Sequence, residues 1–128
     1  MIIIDRIDHV VLTVRDLDIT IDFYSRVLGM KPVEFGGRRG LTFGRQKFNL
    51  HLAGHEFEPK ADLAKPGTMD ICLITTTPID AVVAHLAREG VAILQGPVMR
   101  TGAIGEIRSV YFRDPDLNLV EISNYVDQ

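Results

Sequence analysis

The stretch Ile7-Asp8-His9-Val10-Val11-Leu12-Thr13-Val14, running straight into Arg15-Asp16-Leu17, decides the fold. β-Branched residues dominate the octet, so it reads as a strand. Asp16 then stands where a helix N-cap belongs. Leu17, Ile21, Tyr24 and Leu28 fall on one helical face, and Gly29 follows as a helix stop. Working outward, the sequence predicts strands over Met30 to Phe35, Gly40 to Phe43 and Lys47 to Ala53. Gly36-Gly37 and Gly44-Arg45-Gln46 supply the turns between them.

The segment Gly54 to Gly67 is polar, carries two prolines and reads as a linker. The order then restarts. Thr68 to Thr75 (TMDICLIT) reads as a strand, and Thr77-Pro78-Ile79-Asp80 predicts an N-cap followed by a proline at the first helical position. Ile79, Val82, Val83 and Leu86 form the apolar stripe, and Gly90 closes the helix. Strands are predicted over Val91 to Leu94, Ile107 to Arg113 and Asn118 to Asn124, with Asp114-Pro115-Asp116 as a tight turn between the last two. Arg100 to Gly105 reads as either a mobile loop or a plain hairpin connection. The expectation is therefore an α+β fold of two βαβββ modules, 5–53 and 68–126, joined by the linker 54–67. Gly29 and Gly90 lie 61 positions apart, and the same offset carries His9 onto Asp70.

The totals bound the function. A chain of 128 residues, 46% hydrophobic, buries roughly two thirds of its unfolded surface as one ordinary domain. Its single cysteine, Cys72, leaves no intrachain disulfide framework and suits a reducing compartment. A net charge of −3 gives no electrostatic reason for nucleic-acid binding. The apolar run Ile2-Ile3-Ile4 is too short for a signal peptide or a membrane span. A cytoplasmic protein is expected.

Alternation along the strands supplies the candidate site. His9 shares a face with Ile7, Val11 and Thr13; His51 with Asn49 and Ala53; Asp70 with Cys72 and Ile74; Glu121 with Leu119 and Ser123. In each strand the opposite face is apolar and suited to packing under a helix. His9 and Asp70 are taken as equivalent positions of the two modules, and His51 and Glu121 likewise. Two imidazoles and two carboxylates suit a divalent first-row metal with positions left for water or substrate. Other readings stand beside this one. Asp8-His9 is equally explained as a hydrogen-bonded pair, His51 as an exposed sheet residue, and Glu121 as solvated surface. Asp70 is a direct ligand or an acceptor orienting a histidine. Cys72 is expected to be a buried, inert thiol. His85 reads as solvated and His55 is assigned nothing. Arg38, Arg39, Arg100, Arg108 and Arg113 bind an anionic substrate or are surface charge.

These residues resemble the vicinal-oxygen-chelate superfamily, the group of glyoxalase I, fosfomycin-resistance thiol transferases, methylmalonyl-CoA epimerase, extradiol dioxygenases and bleomycin-resistance proteins. The opening DHVVLTVRDLDITIDFYSRVLGMK is similar to that family's first strand and helix. The closing YFRDPDLNLVEIS is similar to its DPDGN-type turn and glutamate strand, with Leu117 where glycine is usual. FGRQKFNLH, EFEPKA and DICLIT resemble the subgroup called glyoxalase domain-containing protein 5. The resemblance implies an eight-stranded cup with helices outside and a metal (Ni, Zn, Co, Mn or Fe(II)) held by His9, His51 and Glu121, with Asp70 at the fifth-strand position. It implies a small-molecule substrate with two adjacent oxygens, a homodimer, and Glu121 as the base of a glyoxalase-like lyase or isomerase. Two alternatives travel with it: an Fe(II) extradiol-type dioxygenase, and a metal-free ligand-sequestering resistance protein.

Overall fold

The apolar strand at the start and its echo after the linker each found one half of the molecule. The computed structural model describes residues 1–127, which fall into two units, 1–66 and 67 onward. In the first, β1 (His9–Val14) leads into α1 (Leu17–Leu28). An Asp16 side-chain oxygen accepts the Ile19 N–H at 2.9 Å, and Gly29 ends the helix at φ +67°. β2 (Lys31–Phe35), β3 (Arg38–Phe43) and β4 (Gln46–Leu52) follow. The sheet order is β1-β4-β3-β2, with β1 parallel to β4 and the other pairs antiparallel. Leu12, Val14, Tyr24, Val27, Leu41, Phe48 and Leu50 are buried. The Tyr24 and Phe48 rings meet edge to face at 5.6 Å, a favoured aromatic geometry.

The second unit repeats the plan. β5 (Asp70–Ile74), α2 (Ile79–Arg88), β6 (Gln95–Thr101), β7 (Glu106–Arg113) and β8 (Leu119–Tyr125) build a sheet ordered β5-β8-β7-β6. Ile79, Val82 and Leu86 of α2 are buried, as are Val110, Phe112, Val120 and Ile122 of the sheet. The α+β class and the two βαβββ modules are as expected, with the eight strands divided equally between two open sheets.

Two local expectations fail for physical reasons. The sixth strand was expected over Val91 to Leu94 but runs from Gln95 to Thr101. Gly96-Pro97 reads as a break, yet β6 is an edge strand, and the pair sits at a register shift between Gln95 and Val98. Edges and bulges tolerate proline. Glycine is required at 96, because a Cβ there would lie 2.4 Å from the Ser109 carbonyl oxygen. Arg100, expected in a loop or hairpin connection, therefore stands on a strand. The second difference is the cap of α2. Thr77 does not supply it. The Asn124 side-chain oxygen accepts the Ile79 N–H at 2.7 Å, and its amide donates to the Thr75 and Thr77 carbonyls, each at 2.9 Å. A partner 45 residues away does the work of a local cap.

The turn before β8 is a buried polar knot. One Asp114 oxygen accepts the N–H groups of Asp116 and Asn118, both at 2.9 Å, and the other accepts the Asn118 amide at 2.8 Å. Asn118 in turn accepts the Met69 N–H at 2.8 Å, tying the turn to the start of β5. Within the turn Leu117 adopts φ +66° and is 65% exposed, so it carries left-handed strain with little burial in return. Leu117→Gly should therefore raise stability by roughly 0.5–1 kcal/mol, the left-handed penalty being larger than glycine's entropic cost. Urea denaturation of both proteins checks this. A destabilised variant would show that the strain has been misjudged.

Candidate metal and substrate site

Each sheet carries its helix on one face and the candidate polar residues on the other. In the first unit, β1 and β4 pair His9 with Lys47, Val11 with Asn49 and Thr13 with His51. His9 and His51 thus share a face but stand four register steps apart. Four residues of parallel strand span about 13 Å, more than two imidazoles bridge to one ion at metal–nitrogen bonds near ~2 Å. The first unit does not bring the two histidines together.

The same registers revise the equivalence of the modules. β5 and β8 pair Asp70 with Leu119, Cys72 with Glu121 and Ile74 with Ser123. With His9 set on Asp70, the position matching Glu121 is Asn49, and His51 matches Ser123. His51 and Glu121, taken above as equivalent, are therefore two positions out of step. A slip of two residues keeps a side chain on its face, so alternation alone does not reveal it.

His9 is an exposed ring whose Nδ1 lies 2.8 Å from an Asp8 carboxylate oxygen. That hydrogen bond holds the Asp8 carboxyl below its usual range, with burial opposing. With Nδ1–H donated to Asp8, Nε2 keeps a free lone pair, which is how a second carboxylate prepares a metal-binding imidazole. His51 is different. It is 5% exposed, the Phe57 ring covers it at 5.4 Å, and the Arg38 guanidinium lies over the Phe57 ring at 4.2 Å. Its Nδ1 is buried without a hydrogen-bond partner, as is the Asn49 Oδ1 on the same face. Burial first, then the Arg38 charge, lowers the His51 pKa below its ordinary 6.5. The unfolded chain then binds the extra proton between the two pKa values. Stability is full above pH ~6.5 and falls as pH drops through that window. In His51→Leu this component should vanish. Parallel denaturation curves at pH 5 and pH 7 test it, and an unchanged pH difference would refute it.

In the second unit a cavity of about 370 Å³ opens on the polar face, lined by Cys72, Ile74, Arg100, Ile107, Tyr111, Glu121 and Tyr125 among others. β7 and β8 set Tyr111 directly opposite Glu121 and Ser109 opposite Ser123. Ser123 Oγ lies 2.6 Å from Ser109 Oγ and 3.3 Å from Cys72 Sγ, and donates a long 3.4 Å bond to Glu121. Arg100 Nε donates to the Tyr111 hydroxyl at 3.1 Å. Burial pushes the Tyr111 pKa up, Arg100 opposing and Glu121 adding, so the phenol is a neutral donor. Cys72 was expected to be buried and is instead exposed into this cavity, its thiol pushed up by desolvation.

Glu121 and Asp70 are the candidate donors of the second unit. Glu121 is half-buried, and among the described residues no cation pairs with it. A carboxylate withdrawn from water is ordinarily paired or bound to a metal. Asp70 lies on the same face two register steps away, exposed and without a hydrogen bond or ion pair among the described residues. No group of three or more His, Cys, Asp or Glu side chains able to hold a metal ion occurs among the described residues. No described helix is long and apolar enough to cross a membrane. Sequence reasoning missed Asn49, which sits at the true counterpart of Glu121, and Tyr111, whose register follows from the turn before β8.

Residues 6–122 match the family described as Glyoxalase/Bleomycin resistance protein/Dioxygenase superfamily. The chain is 58% identical over 125 residues to virulence protein STM3117 of Salmonella typhimurium, covering 97% of this chain and 87% of that protein. The crystal structure of that protein superposes with a TM-score of 0.96 over 98% of this chain and 100% of the other. Glyoxalase domain-containing protein RDO1 of Mycosarcoma maydis is 52% identical over 94% of this chain and 69% of its own length. Metallothiol transferase FosB of Shouchella clausii is 28% identical over 93% of this chain and 80% of its own. The chain therefore belongs to the Glyoxalase/Bleomycin resistance protein/Dioxygenase superfamily.

Proposed function

We propose that this protein is a divalent-metal-dependent lyase or isomerase of the glyoxalase type, acting on a small substrate with two adjacent oxygens. The observation that carries the reading is the Glu121 carboxylate, half-buried on the wall of a cavity opposite Tyr111 and without a cationic partner among the described residues. His9, Asp70 and Glu121 are the proposed ligands. We read His51 as outside the group, a packed support under Phe57, because it stands four register steps from His9. One imidazole and two carboxylates shift the donor set toward harder ions such as Mn²⁺. The name of the relative FosB, a metallothiol transferase, is consistent with metal chemistry in this fold.

The metal when bound supplies Lewis acidity to the carbonyl of the substrate. Glu121 takes the proton from the carbon beside that carbonyl and returns it to the neighbouring one. Tyr111, opposite Glu121, presents a neutral phenol to the substrate. Ile74 and Ile107 wall the cavity and exclude water, which strengthens every charge interaction inside. His9 and Glu121 belong to different units, and we propose that a second copy of the chain completes the site in a homodimer. Support comes from the apolar residues beside the ligands: Val11 is 46% exposed and Ile74 49%, and such faces favour being covered.

The test is turnover of metal-loaded protein with methylglyoxal plus glutathione, read as thioester formation. Metal-dependent turnover, removed by a chelator and restored by added metal, is expected. The dioxygenase alternative needs two histidines with one carboxylate. Oxygen uptake with catechol in place of thioester formation would favour it and return His51 to the ligand set.

A further inference from the structure

The cavity holding Glu121 contains a second charged group, and its surroundings describe what binds there. Arg100 lines the same cavity from edge strand β6. Its Nε is spent on the Tyr111 hydroxyl at 3.1 Å and one Nη1 hydrogen on the Met99 carbonyl at 3.0 Å. Among the described residues no carboxylate forms an ion pair with it. Its guanidinium lies 5.5 Å from the Tyr111 ring centroid, so the fork is held at the phenol rather than left to sweep through solvent. The remaining N–H groups keep the planar geometry that grips a carboxylate through two parallel bonds.

We propose that Arg100 is the anion anchor of the active site and that the substrate class it selects is a small monocarboxylate. This deepens the preceding reading, on which it rests only for the role of Glu121. Tyr111, which accepts from Arg100, faces Glu121 across the β7–β8 pair, so the anchored carboxylate shares the cavity with the proposed base. The charge count sets the valence of the anion. Arg100 and Glu121 are the charged residues of the cavity wall. One guanidinium balances one negative charge. In the metal-free protein a dianion would leave a further charge facing the Glu121 carboxylate, which is unfavourable. Ile74 and Ile107 make the wall beside the anchor apolar, so a short hydrocarbon segment carries the carboxylate. Thus Arg100 is the residue that sets substrate specificity, through an ion pair rather than through the metal.

The sequence provides a convenient readout. It has no tryptophan and three tyrosines, of which Tyr111 and Tyr125 line the cavity and Tyr24 is fully buried. Full-length protein stripped of metal is titrated with butanoate, butanamide and methylphosphonate at pH 8 and constant ionic strength, and tyrosine fluorescence is followed. Wild type should bind butanoate at least about tenfold more tightly than butanamide, and Arg100→Gln should abolish that preference. Arg100→Lys should restore part of it, because the charge returns without the fork. Circular dichroism confirms that both variants are folded. Equal binding of acid and amide by wild type, an undiminished preference in Arg100→Gln, or tighter binding of methylphosphonate than of butanoate would each overturn the proposal. Because no metal is present, these outcomes are independent of whether the glyoxalase-type reading survives.

Discussion

Glu121→Gln should lower metal-dependent turnover by roughly 10²–10⁴-fold while leaving the fold intact. The neutral amide keeps the size of the side chain and its hydrogen bond from Ser123. It loses the ability to accept a proton, and it is a weaker metal ligand than a carboxylate. The charge it removes is half-buried and has no cationic partner among the described residues, so thermal stability without metal should be unchanged or slightly higher. The combination distinguishes chemistry from folding. A variant that loses activity and also melts early would make Glu121 a structural residue. A variant that keeps its turnover would remove it from the mechanism.

Asp114→Ala should be the most destabilising polar substitution in the second unit. Asp114 is 3% exposed and accepts from the Asp116 N–H, the Asn118 N–H and the Asn118 amide. Alanine leaves those donors buried without acceptors. Unsatisfied buried groups cost about 1–3 kcal/mol each and are not additive, so a total near ~3 kcal/mol and a fall in melting temperature of ~10 °C are expected. The effect should reach the site as well. Asn118, freed from Asp114, also holds the Met69 N–H beside Asp70, so metal affinity should weaken along with stability. Asp114→Asn should fall in between, since one oxygen remains for the two backbone donors while the new amide faces that of Asn118. Thermal melts of the three proteins, with and without metal, check the order. A melting temperature of Asp114→Ala within ~2 °C of wild type would show the knot to be dispensable.

Much of the fold was legible because its signals are local. The strand 7–14, the Asp16 cap and the Gly29 stop use contacts within a few residues, and each appears in the structure. The failures share a different cause. The cap of α2 comes from Asn124, a contact no local pattern encodes. β6, expected over Val91 to Leu94, lies over Gln95 to Thr101, where an edge position and a register shift accommodate Gly96-Pro97. At the site, alternation correctly put His9, His51, Asp70 and Glu121 on the non-helical faces, yet it is blind to a shift of two residues. That blindness made His51 the counterpart of Glu121, where the registers of the two sheets make Asn49 the equivalent position. Tyr111 was within reach. Counting equally outward from Asp116 in the turn sets Tyr111 against Glu121, as β7 and β8 do. Arg100 was one of five arginines with no distinguishing pattern, and only the cavity singles it out.

Elemental analysis of purified, metal-loaded and dialysed protein tests the ligand assignment at its root. Wild type and His51→Leu should each retain about one divalent ion per chain, whereas His9→Ala and Glu121→Ala should retain almost none. Wild-type protein that holds no metal after loading, or a His51→Leu variant that empties while His9→Ala stays filled, would contradict it.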